Sequence, residues 1–219
     1  MKNKCSANFL IFRCCTCLTF LALLFVNAAA QTKTDDTPTH EFQIWGGGSP
    51  ASSTIFGSGR TKDARLGMIG LRYARRFNNS DTVNLKYTFD AIPAAALSVP
   101  SFRGVPNGSA FNVQKERRTA FAYGVAPLGL QINFRPRKKV QPFTGGSVGL
   151  LYFNKRIPDE FGTRFTYTAE VGGGAEIRLR EKRALTIGYK YLHLSNGGRG
   201  TLNPGIDNNF FYVGYSFYK

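Results

Sequence analysis

The amino-acid sequence alternates between apolar and polar residues with a period of two, and this pattern constrains the fold more than any other feature. Between 165 and 180, the odd positions from Phe165 to Leu179 are aromatic, aliphatic or glycine, whereas Thr, Glu and Arg recur at the even positions. Successive side chains of a β-strand point to opposite faces of its sheet. The segment therefore predicts a strand with one apolar face and one polar face.

Segments with this period follow one another through most of the chain, and eight of them are long enough to be strands. The longer ones reach about 12 to 16 residues, well above the roughly 5–6 residues of strands in soluble proteins. No segment shows a helical period, and no apolar run has the roughly 20 residues that a membrane helix needs. The predicted strands are 41–50, 66–77, 82–92, 119–134, 140–154, 165–180, 184–195 and 208–218.

The connections between the predicted strands alternate in length, being short after every second strand and longer after the others. Short turns at one end and long loops at the other are typical of outer-membrane barrels. The chain is therefore predicted to be all-β, an eight-stranded antiparallel transmembrane β-barrel with short periplasmic turns and longer extracellular loops. The short connections are 78–81, 135–139 and 181–183, and the longer ones are 51–65, 93–118, 155–164 and 196–207.

Charged residues on the polar faces predict what fills such a barrel. Eight strands enclose a space that side chains can fill completely, so we expect a plug of ion pairs and not a pore. A soluble ligand-binding barrel is the alternative, and its apolar faces would point inward. The residues expected in the plug are Lys86, Asp90, Glu170, Glu176, Arg178 and Lys190.

The first 30 residues have the pattern of a cleaved signal peptide. A basic start with Lys2, Lys4 and Arg13 precedes an apolar core and the small residues at 28–30. All four cysteines lie within 1–30, so no disulfide is expected in the exported chain. The predicted organisation is a signal peptide at 1–30, a polar segment at 31–40 and the barrel at 41–219.

The two histidines differ in their surroundings. His40 precedes the first predicted strand and is expected to be solvated. His193 lies in the seventh predicted strand, two residues before Ser195, so their side chains leave the same face with Cα atoms about 7 Å apart. Asp207 would start the adjacent antiparallel strand, where a carboxylate could orient the imidazole. The geometry allows a base, a nucleophile and an acid in one place.

All three residues have the parity of the apolar, lipid-facing side chains, at the end with the longer loops. Ionisable groups facing lipid are costly and usually functional, which indicates a lipid substrate reached from the side. The simpler alternative is that His193 and Ser195 are polar residues where the strand leaves the membrane.

The stretch around these residues resembles the lipid A 3-O-deacylase (PagL) family. The resemblance includes His193-Leu194-Ser195-Asn196, then Asn203 and Gly205, and an acid fourteen residues after the histidine. It implies an eight-stranded outer-membrane barrel in which Ser195 is the nucleophile, His193 the base and Asp207 the orienting acid. It also implies oxyanion-stabilising or loop-supporting roles for Asn196, Asn203 and Gly205. The best-known members carry Glu where this chain has Asp207.

The chain is strongly basic, with 29 Lys and Arg against 13 Asp and Glu and a formal charge of +16. Most of the cations outside the strands fall in the longer loops, where they could attract the phosphates of lipopolysaccharide. Arg199 is the nearest to the predicted site. No nucleic-acid-binding motif is present, no Cys and His cluster indicates a metal, and no cofactor is expected.

Together these features predict an integral outer-membrane serine esterase that removes an ester-linked acyl chain, at the 3-position, from lipid A of lipopolysaccharide. A homodimer is compatible with the sequence. The alternative function is a non-catalytic small outer-membrane barrel with a structural or adhesive role.

Overall fold

Eight antiparallel strands form a closed barrel in the computed structural model, which describes residues 39–52, 61–107 and 110–219. Each strand pairs with the next along the chain, and the last closes on the first. The predicted eight-stranded antiparallel barrel is confirmed. The strands are β1 (His40–Ser49), β2 (Arg65–Arg76), β3 (Val83–Asn107), β4 (Ala110–Phe134), β5 (Val140–Ile157), β6 (Thr163–Arg180), β7 (Arg183–Ser195) and β8 (Ile206–Tyr218).

The predicted signal peptide at 1–30 and all but two residues of the polar segment at 31–40 lie outside the described residues. His40 begins β1, so the strand starts one residue earlier than expected. The imidazole is not simply solvated, because its Nδ1 lies 2.8 Å from the hydroxyl of Tyr73. Across the described residues, no helix is long and apolar enough to cross a membrane.

The outer surface of the barrel carries the apolar faces of the strands. Ile44, Leu71, Leu128 and Ile187 are each more than half exposed, and their positions on β1, β2, β4 and β7 spread this apolar surface around the barrel. A soluble protein rarely leaves such a continuous apolar surface in water, whereas a membrane barrel presents it to lipid. The alternative of a soluble barrel with inward apolar faces is therefore wrong.

Ion pairs fill the periplasmic half of the interior. The Nζ of Lys86 lies 2.7 Å from an oxygen of Glu41 and 2.9 Å from an oxygen of Glu176. All three side chains are buried, and the amide of Asn133 also donates to Glu176. A cation shared by two carboxylates satisfies charges that would be unfavourable alone.

Two further pairs complete this network and largely confirm the predicted plug. Arg72 binds Asp90 at 2.8 Å, and Lys190 binds Glu170 at 2.7 Å. Arg178 differs from the prediction, because its guanidinium lies over the ring of Tyr218, 5.2 Å from the centroid. The sequence reasoning did not include Arg72 or Glu41.

The extracellular half of the interior is largely apolar, which the prediction of an ionic plug did not include. Leu192 and Leu194 on β7 and Ile206 and Phe210 on β8 are each at most 2 % exposed. They pack in one cluster with Leu66, Leu97, Leu151 and Phe153. A close-packed interior holds the backbone of β7 and β8 in place, and these strands carry the candidate site on their outer face.

The predicted long loop at 93–118 is wrong, because β3 and β4 continue through it as a two-stranded ribbon. A register shift between Ile92 and Ala95 moves the inward positions from even to odd numbers. Beyond Pro100 most described side chains are at least partly exposed on both faces. The ribbon therefore lacks the alternation that marks the other strands, and its prolines and glycines read as a loop.

The ion network in the periplasmic half generates a stability prediction. Lys86→Met leaves the carboxylates of Glu41 and Glu176 buried without their cation, and we expect a loss of about 3–5 kcal/mol in the free energy of unfolding. Urea unfolding of the barrel in detergent measures it. The control is Lys115→Met, since Lys115 forms an exposed ion pair with Asp63 at 3.8 Å that contributes roughly 0–1 kcal/mol. Equal unfolding midpoints for the two variants would contradict this account.

Candidate active site

The register of β7 and β8 places His193 directly opposite Asp207. The Nδ1 of His193 lies 2.5 Å from Oδ1 of Asp207. The carboxylate is 1 % exposed and the imidazole 27 %. Because the two residues are direct cross-strand partners, the shorter Asp side chain reaches the imidazole. A bond through Nδ1 leaves Nε2 as the nitrogen that can exchange a proton with a substrate or nucleophile.

Ser195 lies two residues beyond His193 on the same outer face, at the end of β7. Two N–H groups donate to its Oγ: Nδ2 of Asn203 at 2.9 Å and the backbone amide of Gly197 at 3.2 Å. The hydroxyl also lies 3.3 Å from Oδ1 of Asn203. Among the described residues, no hydrogen bond joins Ser195 to His193. The structure thus joins His193 to Asp207 and surrounds the serine oxygen with donors.

The segment from Asn196 to Gly205 between β7 and β8 is held by hydrogen bonds of Asn196. The Nδ2 of Asn196 donates to the carbonyl of Leu202 at 2.8 Å, and its Oδ1 accepts from the amide of Gly198 at 2.9 Å. Its backbone amide donates to Oδ1 of Asn203 at 3.2 Å. Both polar ends of the Asn196 side chain are therefore engaged inside the loop, whereas the side chain of Asn203 contacts the serine.

Glycines with left-handed backbone angles make this path possible. Gly197, Gly198 and Gly205 have φ values of 65°, 76° and 63°, in a region that favours glycine. Gly205 is buried, and its carbonyl accepts a hydrogen bond from the amide of Thr61 at 3.3 Å. Gly205, which was expected to support the loop or the oxyanion, therefore forms a turn whose backbone is hydrogen-bonded to the β1–β2 connection.

Two aromatic rings on β6 hold the Arg199 side chain near Ser195. These rings were not among the site residues predicted from the sequence. Its guanidinium carbon is 5.1 Å from the ring centroid of Tyr167 and 5.5 Å from that of Phe165. Tyr167 on β6 is the direct cross-strand partner of Ser195. A guanidinium held over aromatic faces is oriented without losing its donors. The shared outward parity of Phe165, Tyr167 and Ser195 was the sequence signal for this contact.

The site lies on the lipid-facing side of the barrel, close to its extracellular end. On β7 and β8 the neighbouring outward residues include Ile187, Phe211 and Val213, each more than half exposed. Below the imidazole, the hydroxyl of Tyr189 donates to Asn209 at 2.7 Å. Polar groups that can exchange protons thus lie at the upper margin of an apolar membrane surface.

Fold and outward site together define an integral outer-membrane protein of the small eight-stranded class. Two solved structures share this fold with the chain. The outer-membrane enzyme PagL is similar at a TM-score of 0.53 and 16 % identity, over 82 % of this chain and 99 % of the other. Neisserial surface protein A is similar at a TM-score of 0.50 and 12 % identity, over 82 % of this chain and 97 % of the other. At these identities the likeness concerns the fold alone.

The sequence itself matches the family model of the lipid A 3-O-deacylases (PagL) over residues 107–216, a range that includes His193, Ser195 and Asp207. The chain belongs to this family, and it is an outer-membrane lipid A deacylase. The resemblance stated from the residues around Ser195 is confirmed at the level of the family. No curated protein sequence matches the chain significantly.

Two variants of Asn203 test the hydrogen bonds of the loop. Asn203→Leu removes the acceptor of the Asn196 amide, and we expect the hydrogen exchange of that amide to rise about tenfold, the equivalent of one net hydrogen bond. Asn203→Asp retains an acceptor oxygen there and should keep the protection. Equal protection of the Asn196 amide in the Leu variant and the parent would show that Asn203 does not hold the loop.

Proposed function

We propose that Ser195, His193 and Asp207 are the catalytic triad of this lipid A deacylase and that the enzyme releases the hydroxyacyl chain at the 3-position. The observation that carries the proposal is the His193–Asp207 hydrogen bond on the outer face, two residues from Ser195. A histidine oriented through Nδ1 by a buried carboxylate is the arrangement that activates a serine.

The first half-reaction forms an acyl-enzyme. Rotation of the Ser195 side chain away from Asn203 brings Oγ to Nε2 of His193, which takes the hydroxyl proton. Oγ bonds to the carbonyl carbon of the ester, and the carbonyl electrons move to oxygen. The tetrahedral intermediate then breaks its bond to the sugar oxygen, which receives the proton from His193. Asp207 stabilises the imidazolium between these two transfers.

The donors around Ser195 are suited to the developing oxyanion. In the resting site, Nδ2 of Asn203 and the amide of Gly197 both donate to the serine oxygen. When Oγ rotates to His193 and bonds to the carbonyl carbon, these two donors lose their acceptor, and the oxyanion on that carbon can accept from them instead. Donors that are oriented before the reaction stabilise charge without reorganisation. We assign oxyanion binding to these two groups and loop support to Asn196 and Gly205.

The second half-reaction returns the enzyme to its starting state. His193 removes a proton from water, whose oxygen bonds to the acyl carbon. The bond between this carbon and Oγ breaks, Oγ regains the proton through His193, and the hydroxy fatty acid leaves. Each proton that His193 takes up is released in the same half-reaction, so no cofactor is needed for the balance.

The location of the site favours a lipid that is already in the outer leaflet. An ester just below the sugars of lipid A meets the lipid-facing surface at the height where the headgroups begin. Arg199, oriented by Phe165 and Tyr167, can donate two parallel hydrogen bonds to a phosphate. A purely structural or adhesive barrel would not require a buried carboxylate paired with histidine at a lipid-facing position.

Substitutions in the triad give the most direct test of the mechanism. Ser195→Ala and His193→Ala should each lower the turnover of lipid A by at least roughly a thousandfold, with the barrel still folded. Asp207→Asn should lower it less than Ser195→Ala, because the imidazole remains in place but loses its charged partner. Mass spectrometry of lipid A from cells expressing each variant measures loss of one hydroxyacyl group. Wild-type activity in Ser195→Ala would refute the mechanism.

The headgroup contact is tested by Arg199→Gln. Losing a charge-assisted hydrogen bond to phosphate should raise KM for bisphosphorylated lipid A about tenfold, with little change for dephosphorylated lipid A. Arg164→Gln is the matched control, since Arg164 is an exposed arginine at the same end of β6. An equal rise in KM for both substrates, or in both variants, would remove the phosphate contact from the account.

A further inference from the structure

A second cationic site lies on the outer surface, above β2 and beside the base of the β3–β4 ribbon. It is an open cleft of about 250 Å³. Its three cations come from two strands that are not neighbours, and a single carboxylate lies among them. The residues that line it are Pro50, Ala51, Asp63, Arg65, Lys115 and Arg117.

The strand register brings the three cations to the same face. Arg65 pairs with Ser98 on β3, and Ser98 pairs with Thr119 on β4. Two and four residues before Thr119 are Arg117 and Lys115, which therefore share its outward parity. All three cations are exposed. They form a group on the lipid-facing side of the barrel wall, at its extracellular end.

Hydrogen bonds fix one of these cations and leave the cleft with a positive balance. Arg117 donates to the carbonyl of Asp63 at 2.9 Å and to the hydroxyl of Ser98 at 2.9 Å. The Asp63 backbone is left-handed, with φ of 55°, an unusual angle for a residue other than glycine. Its carboxylate lies 3.8 Å from Lys115, and both side chains are more than 60 % exposed. Three cations face one carboxylate, so the cleft attracts anions.

A shallow apolar depression of about 440 Å³ continues downward from the cleft and shares Pro50 and Arg65 with it. Its floor is a row of Gly48, Gly67 and Ala96, which are consecutive partners across β1, β2 and β3. Residues this small leave space against the sheet. Cations above an apolar depression match the charge and polarity of a phosphorylated, acylated lipid.

We propose that this cleft and depression bind a second lipopolysaccharide molecule, distinct from the one at Ser195. One of its lipid A phosphates would contact Arg65, Lys115 and Arg117, and an acyl chain would lie over Gly48, Gly67 and Ala96. Going around the barrel, β7 and β2 are separated by three inter-strand spacings, so the two sites are about 14 Å apart along a curved surface. A lipid whose ester is at Ser195 would have to bend around the barrel to reach the cleft.

The site is independent of the chemistry at Ser195 and is tested by counting bound lipids. Native mass spectrometry of the detergent-solubilised Ser195→Ala barrel, with bisphosphorylated lipid A as the probe, should show two lipids bound. When Arg65→Glu and Lys115→Glu are added to the Ser195→Ala barrel, only one lipid A should remain bound. The matched control is Arg103→Glu with Arg118→Glu, which changes the charge equally on the other face of the same ribbon, and it should still bind two.

A second variant tests the depression without changing charge. A Cβ at Gly67 meets nothing closer than the carbonyl of Gly47 at 3.9 Å, so Gly67→Phe can fill the depression without a backbone clash. The Gly67→Phe variant should also bind only one lipid A, whereas Ile69→Phe, on the same outer face, should still bind two. Dephosphorylated lipid A should bind only once to the Ser195→Ala parent.

Activity separates this site from the substrate site. With Ser195 intact, the Arg65→Glu, Lys115→Glu variant should hydrolyse detergent-dispersed lipid A within about twofold of the wild-type rate. A raised KM in that variant would place the three cations in the substrate site and overturn the proposal. So would a single bound lipid in the parent, or an equal loss of lipid in the charge control.

Discussion

The closed ladder of β-strand hydrogen bonds is the constraint on which the rest of the structure depends. In a closed barrel every strand has two partners, so the register of one pair is tied to the others and each residue is assigned to the interior or to the lipid. The pairing of His193 with Asp207 follows from this ladder. A shift of β8 by one residue would move Asp207 into the interior, and the imidazole would lose its carboxylate.

The ladder also explains why a polar site can exist on an apolar surface. Inside, Lys86, Arg72 and Lys190 are paired with carboxylates, and a cluster of buried apolar side chains fills much of the extracellular half. That cluster supports β7 and β8 from behind, so the exposed loop between them needs little packing of its own. The loop is instead held by Asn196, Asn203 and three glycines in left-handed conformations.

Much of this arrangement could be predicted from the sequence, because the alternation of apolar and polar residues along a strand shows which side chains point inward and which point outward. The eight strands and the shared outward parity of His193 and Ser195 follow from a period of two. The β3–β4 ribbon could not be predicted, since a register shift after Ile92 breaks the parity and solvent on both faces removes the pattern. The Asn203–Ser195 contact and the aromatic support of Arg199 depend on a loop path and a neighbouring strand, which no local pattern specifies.

The central claim is that Ser195 carries the acyl group during turnover. The most direct measurement is intact-protein and peptide mass spectrometry of the barrel after acid quenching within the first turnover on lipid A. The account predicts a mass increase of one hydroxyacyl group on the peptide that contains Ser195, and its absence in His193→Ala. Deacylated lipid A without an adduct on Ser195, or an adduct on another residue, would contradict the account.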